Sequence, residues 1–94
     1  MATDGGYAIE FTPAAARSLR ALPGPVLGRV TAAIDDLAGD PRPRGCKQMA
    51  GRPPRWRIRV GDHRVIYRID DRVRIVGIMS VGRRDDIYRK DDRR

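Results

Sequence analysis

Two hydrophobic periods divide this chain. Between Pro13 and Leu37 apolar residues recur every three or four positions, and from Arg55 onward they recur every second one, the marks of amphipathic helices and half-buried strands. Thr12-Pro13 supplies an N-cap followed by proline at the first helical position, which predicts a helix from Pro13 to about Leu22 with Ala15, Leu19 and Leu22 on its buried side. Pro23-Gly24-Pro25 breaks the chain. A second helix follows, with Val26, Val30, Ala33, Ile34 and Leu37 on one stripe, Gly39 as its C-terminal cap and Pro41 preventing continuation. Ahead of this helical hairpin, Tyr7 to Phe11 alternates as a short strand. Behind it, Asp40 to Pro54 reads as loop, interrupted by a short strand around Cys46 to Met49.

From Arg55 to Arg74 arginine and apolar residues alternate, placing Trp56, Ile58, Val60, Val65, Tyr67 and Ile69 on one sheet face and arginines on the other. A two-residue turn at Gly61-Asp62 sets Arg59 opposite Arg64 and Arg55 opposite Arg68. Like charges facing one another across strands destabilise a sheet. Tolerating them repeatedly, with no interleaved Asp or Glu on that face, implies that a polyanion meets it, nucleic acid first among the candidates. The last strand runs from about Val73 to Val81. A three-residue turn ending at Arg72 pairs Arg68 with Arg74, Ile66 with Val76 and Arg64 with Ile78, leaving Arg55, Arg68 and Arg74 in one row beside an apolar patch of Ile66, Val76 and Ile78. The opposite face, with Val65, Tyr67, Val73, Ile75 and Met79, then packs under the helices. The expected architecture is α+β: an N-terminal strand, a helical hairpin and an antiparallel β-meander, an about four-stranded sheet with the helices on one face.

A length of 94 residues allows one domain with a single core, with 1–6 and 90–94 read as flexible tails. Lys+Arg 20 against Asp+Glu 12 gives net charge +8, the footprint of a nucleic-acid binder or of a protein that travels with an acidic partner. Lys47 and Lys90 are the only lysines; a GC-rich genome and a preference for bidentate phosphate contacts explain that equally well. The N-terminus lacks a basic and apolar leader, and no stretch approaches the ~20 apolar residues that span a bilayer, so the expectation is a soluble, cytoplasmic protein with no membrane partner. With Cys46 the only cysteine and His63 the only histidine, neither an internal disulfide nor a four-ligand Cys/His zinc site can form. Cys46 reads as an incidental thiol.

The spacing of Phe11, Ala15 and Leu19, then Asp40-Pro41, then the block from Trp56 to Tyr67 containing G-D-H-R-V-I-Y, then Ser80-Val-Gly-Arg-Arg84 and Tyr88, resembles the RelE/ParE superfamily of bacterial type II toxins over residues 7–89. The combination of both blocks carries the resemblance; either alone is weak. It implies a RelE-like two-layer fold and a toxin neutralised by a cognate RelB-like antitoxin, encoded nearby, in a hetero-oligomer. RelE-like members cut messenger RNA in the ribosomal A site, so the ribosome and mRNA are implied partners, whereas ParE-like members poison DNA gyrase. Carried over by position, the RelE-type site falls on Arg57, Arg59, Arg64, Arg84 and Tyr88. Many members carry lysine where this chain has Arg57 and Arg59, and guanidinium, effectively never deprotonated, is unsuited to proton transfer there. Arg64, Arg84 and Tyr88 together favour the nuclease branch.

Metal-independent RNA cleavage needs an activated 2′-hydroxyl, stabilised charge on the phosphorane-like transition state and a protonated leaving 5′-oxygen. The usual histidine pair is missing, and the acids are scattered or clustered in turns such as Asp70-Asp71 and Asp85-Asp86, which disfavours a two-metal nuclease. Arginines and a phenol remain: Arg64 and Arg84 to bind the scissile phosphate, with Tyr88 orienting the 2′-hydroxyl, stacking on a base or moving a proton. No cofactor is called for. Lacking a strong base, such a site depends on the ribosome to impose in-line geometry. Arg55, Arg68, Arg74 and Arg83 read as nucleic-acid-positioning groups, with antitoxin pairing the other reading for Arg55 and Arg68. Plainer readings attach to Trp56 (core packing), His63 (a turn-exit surface residue) and Asp85 and Asp86 (neutralising nearby arginines). The competitors are a gyrase-binding toxin without chemistry and a plain nucleic-acid-binding module.

Overall fold

The computed structural model describes residues 6–83. The elements in chain order are β1 (Ala8–Phe11), α1 (Pro13–Arg20), α2 (Gly24–Leu37), β2 (Lys47–Met49), β3 (Arg55–Val60), β4 (His63–Asp70) and β5 (Ile75–Arg83). The strands form a five-stranded sheet in the order β1-β5-β4-β3-β2, in which β1 runs parallel to β5 and all other neighbours are antiparallel. The sheet is thus one strand larger than the expected four, and mixed. The physical reason is the crossover: β1 feeds the helical hairpin and rejoins the sheet beside β5, a partner more than 60 residues away that no local pattern announces.

Local chemistry sets the helix ends. The Thr12 hydroxyl accepts from the Ala15 N–H (3.1 Å) and donates to the Met79 carbonyl (3.1 Å), so one side chain caps α1 and pins it to β5. α2 closes at Ala38, whose conformation is right-handed; Gly39 contributes only an N–H to the Asp36 carbonyl (3.1 Å) rather than a left-handed cap. Ala15, Val30, Ile34 and Leu37 pack against Ile58, Val65, Tyr67, Val76, Ile78 and Val81 of the sheet, with Leu19, Leu22, Val26 and Ala33 at the margin, as the helical stripes predict. Tyr67, fully buried, donates its hydroxyl to the Pro41 carbonyl (2.8 Å). Burial above all pushes its phenol well above the ordinary value. No helix among the described residues is long and apolar enough to cross a membrane.

The β3–β4 hairpin has the predicted register, with Arg59 opposite Arg64 and Trp56 opposite Tyr67; Gly61 takes the left-handed φ of +60° that this turn demands. The β4–β5 connection departs from expectation. Asp70 pairs with Ile75, Ile69 with Val76 and Arg68 with Gly77, so residues 71–74 all lie in the turn. The Asp70 carboxylate holds that turn by accepting from the N–H groups of Arg72 (3.0 Å) and Val73 (3.2 Å), and Arg74 leaves it in a left-handed conformation at φ 59°. The shift reverses the pleat: Val76 and Ile78 join the core fully buried, whereas Val73 is 62% exposed. Arg74 leaves the expected row with Arg55 and Arg68. Beyond Tyr67, which faces Ile78, a bulge skips Met79 so that Ile66 faces Ser80 and Arg64 faces Gly82. That extra residue returns Val81 to the helix side, opposite Val65.

Candidate nucleic-acid interface

The sheet face away from the helices carries the charge. Pairing sets three rows across it: Lys47, Arg57, Ile66 and Ser80; Arg59, Arg64 and Gly82; and, at the far end, Met49 beside Arg55 and Arg68 beside Gly77 and Glu10, the two halves meeting when the β3–β4 register is continued by one residue. Opposed side chains on one face start about 5 Å apart, so the guanidinium groups share a narrow strip. The ends of that strip differ. Arg57, Arg59 and Arg64 stand at the β3–β4 turn, whose own acid is Asp62, while Glu10 and Asp70 lie toward the opposite end, Asp70 about 20 Å along β4 from Arg64 at ~3.3 Å per residue.

Arg64 is 4% exposed, the sole buried charged side chain among the described residues. Ile66, next to it on the same face, is 2% exposed. Desolvating a guanidinium raises the value of any anion that reaches it, and the long side chain is accommodated across from Gly82, which adds no bulk of its own. Arg59 and Arg68 are exposed, and Arg55 and Arg57 half-buried.

The structure brings together Arg55, Arg57, Arg59, Arg64 and Arg68 as the alternation predicts. It removes Arg74 to the turn. It pairs Arg83 with His63, so pleat parity sets Arg83 on the Val81 side, at the rim rather than on the cationic face. Arg84, Asp85, Asp86 and Tyr88 lie outside the described residues. Lys47 is an addition: β2 pairs it with Arg57, extending the strip by one cation, and its signal in the sequence is only the parity of a three-residue strand set in a loop. Trp56 keeps to the helix side, packed at the core margin with the Arg42 guanidinium 5.0 Å from its ring centre. Among the described residues no three His, Cys, Asp or Glu side chains converge as a metal ion would require.

A second polar cluster is structural. Arg42 grips Asp71 through both guanidinium nitrogens (3.3 and 2.9 Å), and the Tyr7 hydroxyl donates to the same carboxylate (2.6 Å). The cluster fastens the α2–β2 loop and the entry to β1 to the β4–β5 turn. Hydrogen bonds from Arg42 and then Tyr7 hold Asp71 below the usual carboxylate range, and the same bond raises the Tyr7 phenol.

Comparison with known proteins agrees with this geometry. A model of the ParE toxin of type II toxin-antitoxin systems matches residues 9–88. The toxin RelG of Mycobacterium tuberculosis is 38% identical over 88 residues, covering 89% of this chain and 98% of RelG. The toxin–antitoxin complex RelBE2 of the same organism superimposes with TM-score 0.73 at 33% identity, covering 84% of this chain and 99% of that one. The RelE–RelB complex of Pyrococcus horikoshii does so with TM-score 0.75 at 25% identity, covering 84% and 96%. Sequence, sheet order and relatives converge: the chain belongs to the RelE/ParE superfamily of type II toxins.

Proposed function

We propose that this toxin is a ribosome-dependent mRNA endonuclease, active in the cytoplasm. The observation that carries the reading is the opposition of Arg59 and buried Arg64 on the open face beside the β3–β4 turn, a fixed concentration of positive charge of the kind a phosphorane-like transition state requires. In the reaction, the 2′-oxygen attacks the adjacent phosphorus as its proton leaves, and the bond from phosphorus to the 5′-oxygen breaks as that oxygen gains a proton. The products are a 2′,3′-cyclic phosphate and a 5′-hydroxyl. Arg64 and Arg84 hold the phosphate, Arg57 and Arg59 add stabilising charge, and Tyr88 serves the 2′-hydroxyl end. No strong base stands at this end of the strip among the described residues, which fits a dependence on the ribosome to align the message.

A RelB-like antitoxin is the proposed partner, since the two solved relatives are toxin–antitoxin complexes. The second reading, a gyrase poison without chemistry, is favoured by the ParE description of the matching family model.

Mapping 5′-hydroxyl RNA ends across the transcriptome, minutes after induction, tests the choice. New ends inside translated frames, absent with Arg84→Ala and absent when ribosomes are kept off the message, are expected. Growth arrest without such ends overturns the proposal and moves the target to gyrase.

A further inference from the structure

At the opposite end of the cationic strip, beside the β4–β5 turn, lies a cleft of about 520 Å³ lined by Arg68, Arg72, Pro53, Ile75 and Gly77 together with Asp70 and Asp71. That volume is ordinary for a small-ligand site. Its two acids are committed within the fold: Asp70 accepts from the turn N–H groups, and Asp71 is held by Arg42 and Tyr7. Arg68 and Arg72, by contrast, direct no side-chain hydrogen bond or ion pair to any described residue. With Asp71 answered by Arg42, the lining of the cleft sets two arginines against Asp70 alone, while Glu10 stands across β5 beside Gly77. Its floor is open, because a Cβ built on Gly77 meets nothing within 4 Å. Its walls include the apolar faces of Pro53 and Ile75, against which a flat ring can lie.

Arg68 shares its strand and face with Arg64, about 13 Å away at ~3.3 Å per residue. A single strand of RNA whose phosphate sits at Arg59 and Arg64 reaches this cleft within a few nucleotides. We infer that the cleft formed by Arg68, Arg72, Gly77 and Pro53 is a subsite for a nucleotide flanking the scissile phosphate, its phosphate on the two arginines and its base over Gly77 against Pro53. This inference rests on the nuclease reading for what the RNA is doing at the other end of the strip. It goes beyond that reading in assigning Arg72, Pro53 and Gly77 to substrate binding. Arg68 and Arg72 are binding residues, remote from the reacting atoms.

The test is equilibrium binding of a short, labelled, single-stranded RNA with 2′-methoxy groups, which cannot be cut, to the full chain across a salt series. Arg68→Ala and Arg72→Ala should each weaken binding several-fold and flatten the slope of log K against log salt by about 0.7, the loss of one phosphate contact to a single strand. Gly77→Leu, which fills the floor without changing charge, should weaken binding comparably. Arg29→Ala, on the exposed side of α2, should leave both quantities unchanged.

If the Arg68 and Arg72 variants match Arg29→Ala, or if Gly77→Leu binds as the wild type does, the subsite is disproved. Loss of affinity for an acidic partner protein with RNA binding intact overturns it equally. Failure of the nuclease reading is a separate result: RNA ends that never form in cells, alongside the slope changes above, would leave the subsite standing and remove its catalytic context.

Discussion

The helix side of the sheet and its open side are made of the same strands and follow opposite rules. On the helix side Val65, Tyr67, Val76 and Ile78 are fully buried against Ala15, Val30, Ile34 and Leu37, and every partner is supplied from within the chain. On the open side Arg59 faces Arg64 and Lys47 faces Arg57, so neighbouring strands contribute charges of one sign. One face is complete when the chain has folded; the other, on the function proposed above, meets the phosphates of RNA. Alternating residues along β3 and β4 thus divide folding from binding with little exchange between them, and substitutions one position apart should have unlike consequences.

The largest expected effect is on the helix side. Tyr67→Ala removes a fully buried ring and its bond to Pro41, and should cost about 3–5 kcal/mol as other large aromatics do, read as a fall in the midpoint of denaturant unfolding with the slope preserved. A loss under 1 kcal/mol would show that the core does not depend on this face as described. On the open side the sign should reverse. Arg59→Glu replaces a repulsive cross-strand pair by an attractive one and should raise stability by about 0.2–1 kcal/mol, while the appearance of new RNA ends in cells collapses. A destabilised Arg59→Glu would break the division between the faces.

The smallest effect belongs to the clamp joining the two at the turn. Asp71 has a depressed folded-state pKa, so its contribution is present above the unfolded carboxylate value near 3.9 and is lost as pH falls through the lower folded value. Tyr7 is raised, so its contribution is present below its unfolded value and is lost as pH climbs through the raised one. Asp71→Asn should therefore melt slightly below the wild type at neutral pH, with the gap closing in acid. A gap that persists at the lowest pH would show that the carboxylate charge is not what holds the clamp.

Much of this was legible in the residues. The helical stripes, the Thr12 cap and the Gly61-Asp62 turn act locally, within a few residues of their cause, and the register of Arg59 on Arg64 follows from a turn of fixed length. The β4–β5 register was not legible, because it depends on one carboxylate bridging two N–H groups and on Arg74 adopting a conformation that a sequence pattern gives no reason to expect. The bulge at Met79 compounds this: alternation before it and after it disagree by one residue, so no single period fits β5. Lys47 was missed for a related reason, since a three-residue strand earns its place only by pairing with β3. Arg84 and Tyr88 enter the site through the resemblance alone and lie outside the described residues.

The parallel pairing of β1 with β5 also orders events in time. Ala8 through Phe11 leave the ribosome first among the strands, yet the hydrogen bonds that complete them belong to Ile75 through Ile78. During synthesis the edge of the sheet therefore stays open until its last long strand has emerged, and pairing at this separation is slow to close. The strand made first is the strand that waits, and the toxin cannot assume its finished shape while most of its own message is still being read.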